Sequence, residues 1–531
     1  MQLETLDATA RDYIRELETS YEQRIKELQI KFDADIKELQ FKYIVIKEQY
    51  DLLVYKKFAR SAEQLLADKT QPLLFTEEGE KTETPKEKIE LTEVKSYKRH
   101  KKGRKPIAAN IQRRDTVIDL PDSEKTCACG AELTKIGEET SEKLQITPPE
   151  IYVERIVRPK YACRNCEGTE DEGKPAVRIM PAAPSIIPKS IVSPSLLSCI
   201  MIQKYEDHLP FYRQEKQFKS IGIAISRQDM CNWQQKAFEK LPPLFRLLKE
   251  TIKTGPIMQM DETTLQVMGE TGRSDTQKSY MWLALGGPVD KKVVLYEYHE
   301  TRGGHNAKTF LEGYSGYLQT DGYDGYDSAV KDLPEIIHVG CFAHARRYFF
   351  EAAVIAEQEG TAKEGLEYIR MLYRIERALR KEKEDNKIDE ETFVIKRKEK
   401  AGTVLNDFKN WLIQKVEGVP PNCLLGKAIR YSLNQWDKLV RYLESPYLTP
   451  DNNACENAVR PFVLGRKNWL FNKSPEGAES SCGMFSLIET AKLNGLVPRN
   501  YLLALFEKAP LASTQKSWEK LLPWNIFTPL N

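Results

Sequence analysis

The chain has 531 residues, 41% of them apolar and 30% charged, with ten cysteines and 80 basic against 78 acidic side chains. That length makes several domains, the apolar fraction excludes wholesale disorder, and the cysteines are too sparse for a disulfide scaffold, so any clustering among them points to metal. The net charge of +2 argues against a uniformly basic nucleic-acid binder unless charge is segregated along the chain. The start lacks the basic and then apolar pattern of a secretory leader, and no apolar run is long enough to span a bilayer, so a cytoplasmic protein with no membrane partner is expected.

The first 71 residues contain neither Gly nor Pro and are dense in helix formers. Ile14, Leu17, Tyr21, Ile25, Leu28, Phe32, Ile36, Leu39, Tyr43, Ile46, Tyr50 and Leu53 step by threes and fours, the seam period of a coiled coil, which predicts a long helix that pairs with another. A charged linker follows. Seven acids and three lysines fall between Glu77 and Glu93, then nine Lys or Arg and no acid between Lys95 and Arg114. This basic run, with KRHKKGRKP at its centre, can lie along phosphates or serve as a solvated tether.

Cys127 and Cys129 in TCACGAEL and Cys163 and Cys166 in KYACRNCEG flank a strand-like, alternating EIYVERIVRPKYA. Four thiolates in two close pairs suit one structural, tetrahedral zinc, although the first pair is CxC, one residue shorter than the usual knuckle. Beyond a Pro-rich stretch, residues 195 to 241 read as successive amphipathic helices. Gly222 sits in a turn and Ser226 N-caps a helix through Trp233, an arrangement like a helix-turn-helix and equally at home in an ordinary core. His208 reads as a packing histidine.

From 255 the texture changes to strands: GPIMQMDETTLQV, KSYMWLALGG and KKVVLYEYHE, then a helical Asn306 to Tyr314 and a fourth strand ending in GYLQTDGYDGY. Three strands, a helix and a strand predict the opening of a ribonuclease H-like mixed sheet. Asp261 lies within the first strand and Asp321 just after the fourth, so the fold would set their carboxylates side by side. With no catalytic histidine evident nearby, paired carboxylates suggest hard oxygen ligands for Mg²⁺. Among rival acids, Glu262 points to the opposite strand face, while Asp324 and Asp327 lie in the turn after Asp321.

PDNNACENAVRPFVLGRKNWLFNKSPEGA, at 450 to 478, supplies Glu456 on a short helical stretch that Pro461 should kink or end. Here the chain strongly resembles the bacterial DDE transposases of insertion-sequence family sixty-six. The resemblance runs through LLVYKKFARSAEQL, KGRKP, EETSEKLQITP, RPKYAC, KYEDHLPFYRQE, MQMDETTLQV, YLQTDGYDGY, HVGCFAHARRYFFEA, NNACENAVRPFVLGRKNWLF and SLIETAKLNGLVPRNYL.

The resemblance implies that Asp261, Asp321 and Glu456 are a DDE triad binding two Mg²⁺ (or Mn²⁺) ions, with a helical insertion filling the interval between Asp321 and Glu456. It also implies cleavage at the terminal inverted repeats of an element and transfer of the freed 3′ hydroxyls to target DNA. The expected architecture is multidomain α/β: a coiled-coil helix at 1–71, the charged linker at 72–122, a zinc-binding module at 123–180 and a helix-turn-helix-like segment at 190–250. The ribonuclease H-like domain occupies 251–350 and 448–482, interrupted by the insertion at 351–447, and a helical segment at 483–531 closes the chain.

Arg346, Arg347, Arg460, Arg466 and Lys467 are candidate phosphate contacts, and Trp469 is a candidate base-stacking residue or a core tryptophan. Cys341 and His344 have ligand-like spacing, but as two ligands on one helical turn they make an incomplete site and read as packing. Cys199, Cys231, Cys423, Cys455 and Cys482 read as buried thiols. Expected partners are double-stranded DNA (inverted repeats and target), further copies of the chain, and two small accessory proteins of the same element. The protein would associate with the bacterial nucleoid when bound to DNA. A nuclease of the same superfamily that does not join strands, or a non-catalytic zinc-containing DNA-binding protein, are the competing functions.

Overall fold

The computed structural model describes residues 8–58, 151–162, 177–355 and 360–526. They fall in two compact units, Glu78–Ala182 and the remainder. In the smaller unit the strand-like stretch expected from 150 to 162 is regular only at its end: β1 (Lys160–Ala162) pairs antiparallel with β2 (Val177–Ile179), while 151–159 are irregular and exposed. Cys127, Cys129, Cys163 and Cys166 lie outside the described residues, as does the basic linker.

The larger unit begins with α1 (Ala8–Phe58), one helix of 51 residues. The apolar stripe from Leu17 to Leu53 is exposed along it. Its last turns are anchored: Leu52 packs on Ala352, Ala353, Ala362 and Leu424, Glu48 accepts the Leu424 N–H at 3.0 Å, and Lys56 pairs with Glu351 at 2.6 Å.

Four helices then lead to the sheet: α2 (Pro194–Tyr205), α3 (Phe211–Ser220), α4 (Arg227–Phe238) and α5 (Pro242–Ile252). Ser226 caps α4 as expected, in a reciprocal capping box with Asp229, and Gly222 takes the positive φ of +83° that the turn requires. The buried face of α4 (Met230, Trp233, Gln234, Ala237) belongs to the same core as the sheet. Gln234 is hydrogen-bonded to Tyr205, Ser480 and Ser481, so this segment is packed into the larger unit's own interior.

The sheet has five strands, β3 (Ile257–Gln266), β4 (Lys278–Gly286), β5 (Val293–His299), β6 (Gly316–Gln319) and β7 (Ile336–Val339), in the order β5-β4-β3-β6-β7. The first three run antiparallel as two hairpin connections, and β6 and β7 lie parallel to β3. Between them come α6 (Gly304–Leu311) and α7 (Asp324–Val330), the crossovers that parallel pairing demands.

After β7 the chain enters α8 (Phe342–Ile355) and a helical layer, α9 (Thr361–Glu384), α10 (Glu390–Val416), α11 (Leu424–Asn434) and the short α12 (Trp436–Leu439), with a core of its own around Phe349, Phe408, Trp411 and Trp436. The fully buried Arg397 closes this layer. It pairs with Glu376 at 2.9 Å and donates to the carbonyls of Tyr442, Ser445 and Leu448, fixing the strap that leads back to the sheet.

That strap delivers α13 (Asn453–Trp469), which packs on β3 and β4. The helix runs through Pro461 without starting a new segment. Tertiary packing holds it there: Phe462 is buried, and the Tyr296 hydroxyl donates to the Ala458 carbonyl.

The edge strand β5 is covered by α14 (Pro475–Leu493), a helix buried almost throughout. Its small residues allow close approach, and Ser486 and Thr490 accept the N–H groups of Tyr296 and Val294 at 2.9 and 3.1 Å. An edge that would otherwise offer unpaired donors is thereby satisfied by helix side chains. The last helices, α15 (Pro498–Lys508) and α16 (Gln515–Glu519), complete this core.

Candidate active site

β3 and β6 pair with a constant offset of 60, from Ile257 opposite Tyr317 to Gln259 opposite Gln319. Asp261 and Asp321 have the same offset, two residues further along, where β6 has just ended. The carboxylate of Asp261 accepts the Glu262 N–H at 2.8 Å, and that of Asp321 accepts the Tyr323 N–H at 3.0 Å, which turns the chain into α7. Glu456 stands in the first turn of α13.

Burial pushes the Asp261 carboxyl well above the ordinary range, and the charges of Glu262, Glu456 and Asp321 push it further. Glu456 is raised to about 7, by burial first and then by Asp451 and Asp321, while Arg347 and Arg460 oppose the rise. Glu456 Oε1 is buried and has no hydrogen-bond partner. Buried acids whose charges act on one another, one with an orphaned oxygen, have the donor chemistry of a site for divalent cations with hard oxygen ligands.

Two of the three rival acids are otherwise engaged. Glu262 points away on the opposite face as strand alternation requires, held by Arg302 at 2.5 Å and by the Tyr326 hydroxyl. Asp324 is exposed at the start of α7. Asp327 pairs with Lys438 at 2.6 Å and with His338 Nδ1 at 3.0 Å. Burial lowers the His338 imidazole below its ordinary range, against the pull of Asp327, and its Nε2 lies 2.8 Å from the Thr320 hydroxyl, next to Asp321.

Two features were missed from sequence. His344 Nδ1 lies 3.8 Å from Glu456 Oε1, so a histidine does stand beside the triad. Asp451, buried on the strap before α13, adds a further negative charge that acts on Cys341 and Glu456. The spacing of Cys341 and His344 was visible, but nothing in one dimension brings Glu456 to them.

The basic candidates divide. Lys467 is exposed on α13, and Arg347 is exposed on α8 near Glu351 at 3.7 Å. Arg346 is half-buried on α8, and Arg460 donates to Asn457 at 3.3 Å one turn after Glu456. Arg466 is partly buried. Its Nη1 is turned onto β3, bonding the Thr263 and Thr264 hydroxyls at 3.2 and 3.0 Å and the Thr264 carbonyl, so it ties α13 to the sheet and does not reach outward.

Trp469 makes packing contacts. Its ring meets Tyr205 and Phe485 and covers Gly465, where any Cβ would collide with it. His208 packs at a positive φ of 55°. Cys423, Cys455 and Cys482 are buried free thiols, and Cys199 and Cys231 are half-buried. Among the described residues no helix is long and apolar enough to cross a membrane.

Comparison with known proteins agrees along the chain. Residues 189–480 match the family described as Transposase IS66 family, 124–167 the zinc-finger binding domain of transposase IS66, 486–524 the IS66 C-terminal element, and 46–116 the Transposase C of IS166 homeodomain. The zinc-finger match spans all four paired cysteines and supports a zinc ion there. Among relatives, the uncharacterized proteins y4hP and y4jD of Sinorhizobium fredii (strain NBRC 101917 / NGR234) are each 30% identical, over 81% and 80% of this chain and 78% and 83% of their own lengths. With more than half of its length inside one family description and its flanking segments in that family's accessory domains, the chain belongs to the IS66 family of transposases.

Proposed function

We propose that the protein cleaves DNA at the terminal inverted repeats of its element and joins the freed 3′ ends to target DNA, with Asp261, Asp321 and Glu456 as a DDE triad. The observation that carries this reading is the common offset of Asp261 and Asp321 across β3 and β6, with Glu456 in the first turn of α13, the helix packed on β3. The strand order, three antiparallel strands followed by two parallel ones, supports a ribonuclease H-like domain interrupted by the helical layer from α9 to α12.

These three carboxylates would hold two Mg²⁺ or Mn²⁺ ions, which when bound supply Lewis-acid stabilisation to the attacking and leaving oxygens of a phosphodiester. The chain's own part is positioning. Gln259, Gln319 and His338 fix the strands and turn that carry the aspartates, Arg466 and Phe462 seat α13, and Arg346, Arg347, Arg460 and Lys467 offer positive charge for the DNA backbone. Cys127, Cys129, Cys163 and Cys166 would form the zinc module, and the exposed stripe of α1 would pair copies of the chain. Accessory proteins of the element and association with the nucleoid in the cytoplasm belong to the same reading.

The test is incubation of purified protein with labelled inverted-repeat ends, target plasmid and Mg²⁺ or Mn²⁺, alongside Asp261→Ala and Glu456→Gln. Cleaved and joined products with the unsubstituted protein and neither with the variants are expected. Products that persist in both variants would overturn the triad, cleavage without joining would make the protein a nuclease, and binding alone would make it a non-catalytic DNA-binding protein.

A further inference from the structure

Cys341, between β7 and α8, and His344, in the first turn of α8, lie three residues apart. On their own they are two ligands. The return of the chain through the helical layer adds a third, because a carboxylate oxygen of Glu456 comes to the same point. Cys341 Sγ, a ring nitrogen of His344 and that oxygen all lie within 4.8 Å of one another, and His344 Nδ1 and Glu456 Oε1 are 3.8 Å apart. Ligand atoms on a tetrahedral zinc at 2.0 to 2.3 Å stand about 3.3 to 3.8 Å from each other, so a small inward movement completes the arrangement.

A further observation points to a ligand. His344 Nδ1 and Glu456 Oε1 are both buried atoms without a hydrogen-bond partner. A pair of adjacent orphans, one a potential lone-pair donor and the other an anion, is satisfied together by a cation. The Phe342 N–H donates to Pro450 O at 2.8 Å, tying the start of α8 to the strap before α13, so the three residues are held on linked backbone.

We propose that Cys341, His344 and Glu456 form a binding site for a thiophilic divalent cation of the zinc class, distinct from the paired-cysteine module and sharing one carboxylate with the triad. A thiolate and an imidazole select zinc over magnesium, and three protein ligands leave the fourth position open to water. Glu456 cannot serve both centres fully. Zinc at this site therefore withdraws Glu456 from the magnesium centre and holds the enzyme inactive, a consequence that rests on the triad reading, whereas the binding itself does not.

The experiment counts zinc in the full-length protein equilibrated with buffered free zinc at millimolar Mg²⁺, by elemental analysis. The unsubstituted protein is expected to hold one equivalent more than Cys341→Ser, His344→Gln or Glu456→Gln, while Asp261→Asn keeps the full count. Equal counts in all five proteins would overturn the site. Should the substituted proteins fail to fold, zinc-edge X-ray absorption of the unsubstituted protein decides: nitrogen or oxygen scatterers beside sulfur are expected, and an all-sulfur shell overturns the proposal. For the consequence, strand transfer with and without zinc is compared in the unsubstituted protein, Cys341→Ser and His344→Gln, and a fall of at least tenfold is expected in the unsubstituted protein and in neither variant. If Asp261→Asn proves active, the triad reading fails while the zinc count still stands.

Discussion

The side-chain amide of Gln259 donates to the side-chain oxygen of Gln319 at 2.8 Å, across neighbouring strands and two residues before Asp261 and Asp321 respectively. Side chains two apart on a strand share a face, so this buried bond fixes the register at the level of the aspartates. Gln319 also donates to the Thr449 carbonyl at 2.7 Å, on the strap that precedes Glu456. One side chain thus links the elements carrying all three acids.

Gln319→Leu is expected to lower unfolding free energy by about 1 to 3 kcal/mol, because it leaves buried polar partners unsatisfied. DNA cleavage should fall further than the loss of folded protein explains. Chemical denaturation and single-turnover cleavage on the same preparation separate the two.

Asp261→Asn should act in opposite directions on stability and activity. Burial beside Glu262, Glu456 and Asp321 penalises the charged form of Asp261, so removing the charge should raise the melting temperature of the metal-free protein. Cleavage should drop by about a hundredfold or more, on the scale of losing one preorganised charge-stabilising group. A lower melting temperature with cleavage retained would contradict the electrostatic description of the site.

The pH dependence follows from Glu456. Its carboxyl is raised from 4.5 to about 7 in the folded protein, so the folded state holds its proton more tightly than the unfolded state does. Stability from this group is therefore fully present below pH 4.5 and lost as pH rises through about 7. Thermal melts of metal-free protein between pH 5 and pH 8 are expected to show this decline, and Glu456→Gln should flatten it. Divalent cations, which favour the ionised form, should reverse its sign.

His338 is expected to position Asp321. It bridges Asp327 and Thr320, the residue before Asp321, without touching the acids of the triad. Partners of metal ligands change metal affinity by roughly 10 to 100-fold when removed. His338→Phe should raise the Mn²⁺ concentration needed for half-maximal cleavage by that order and lower the rate at saturating metal much less. A loss confined to the saturated rate would indicate a different role.

Arg466 and Lys467 are adjacent, yet their substitutions should read out differently. Arg466→Met removes hydrogen bonds from α13 to Thr263 and Thr264 and should lower stability, with little effect on the salt dependence of DNA binding. Lys467→Ala, on an exposed side chain, should leave stability alone and reduce the slope of log affinity against log salt by about 0.9, one phosphate contact.

Much of this protein is written locally, and local patterns survive reading in one dimension. The 3.5-residue stripe from Ile14 to Leu53 specified the long helix, alternation and β-rich runs specified β3, β4 and β5, the Ser226 cap marked the start of α4, and Asp261 and Asp321 stood out by their place at strand level. Glu456 was found through a motif. Pro461 looked like a helix end because propensity is a local penalty, and packing against β3 and β4 outweighs it.

What the tertiary structure alone decided is which side chains share a point in space after the chain has wandered through a helical layer. Arg466 reads as a surface charge until β3 is placed against it, Trp469 as a stacking or a core residue until Tyr205 and Phe485 are placed against it, and Ser486 and Thr490 as unremarkable until the β5 edge needs their oxygens. Cys341 and His344 remain two ligands until Glu456, 115 positions later, arrives beside them. The physical reason is common to all four: hydrogen bonds, ion pairs and ligand sets depend on separations of a few ångströms, and sequence separation says nothing about these once loops and insertions intervene.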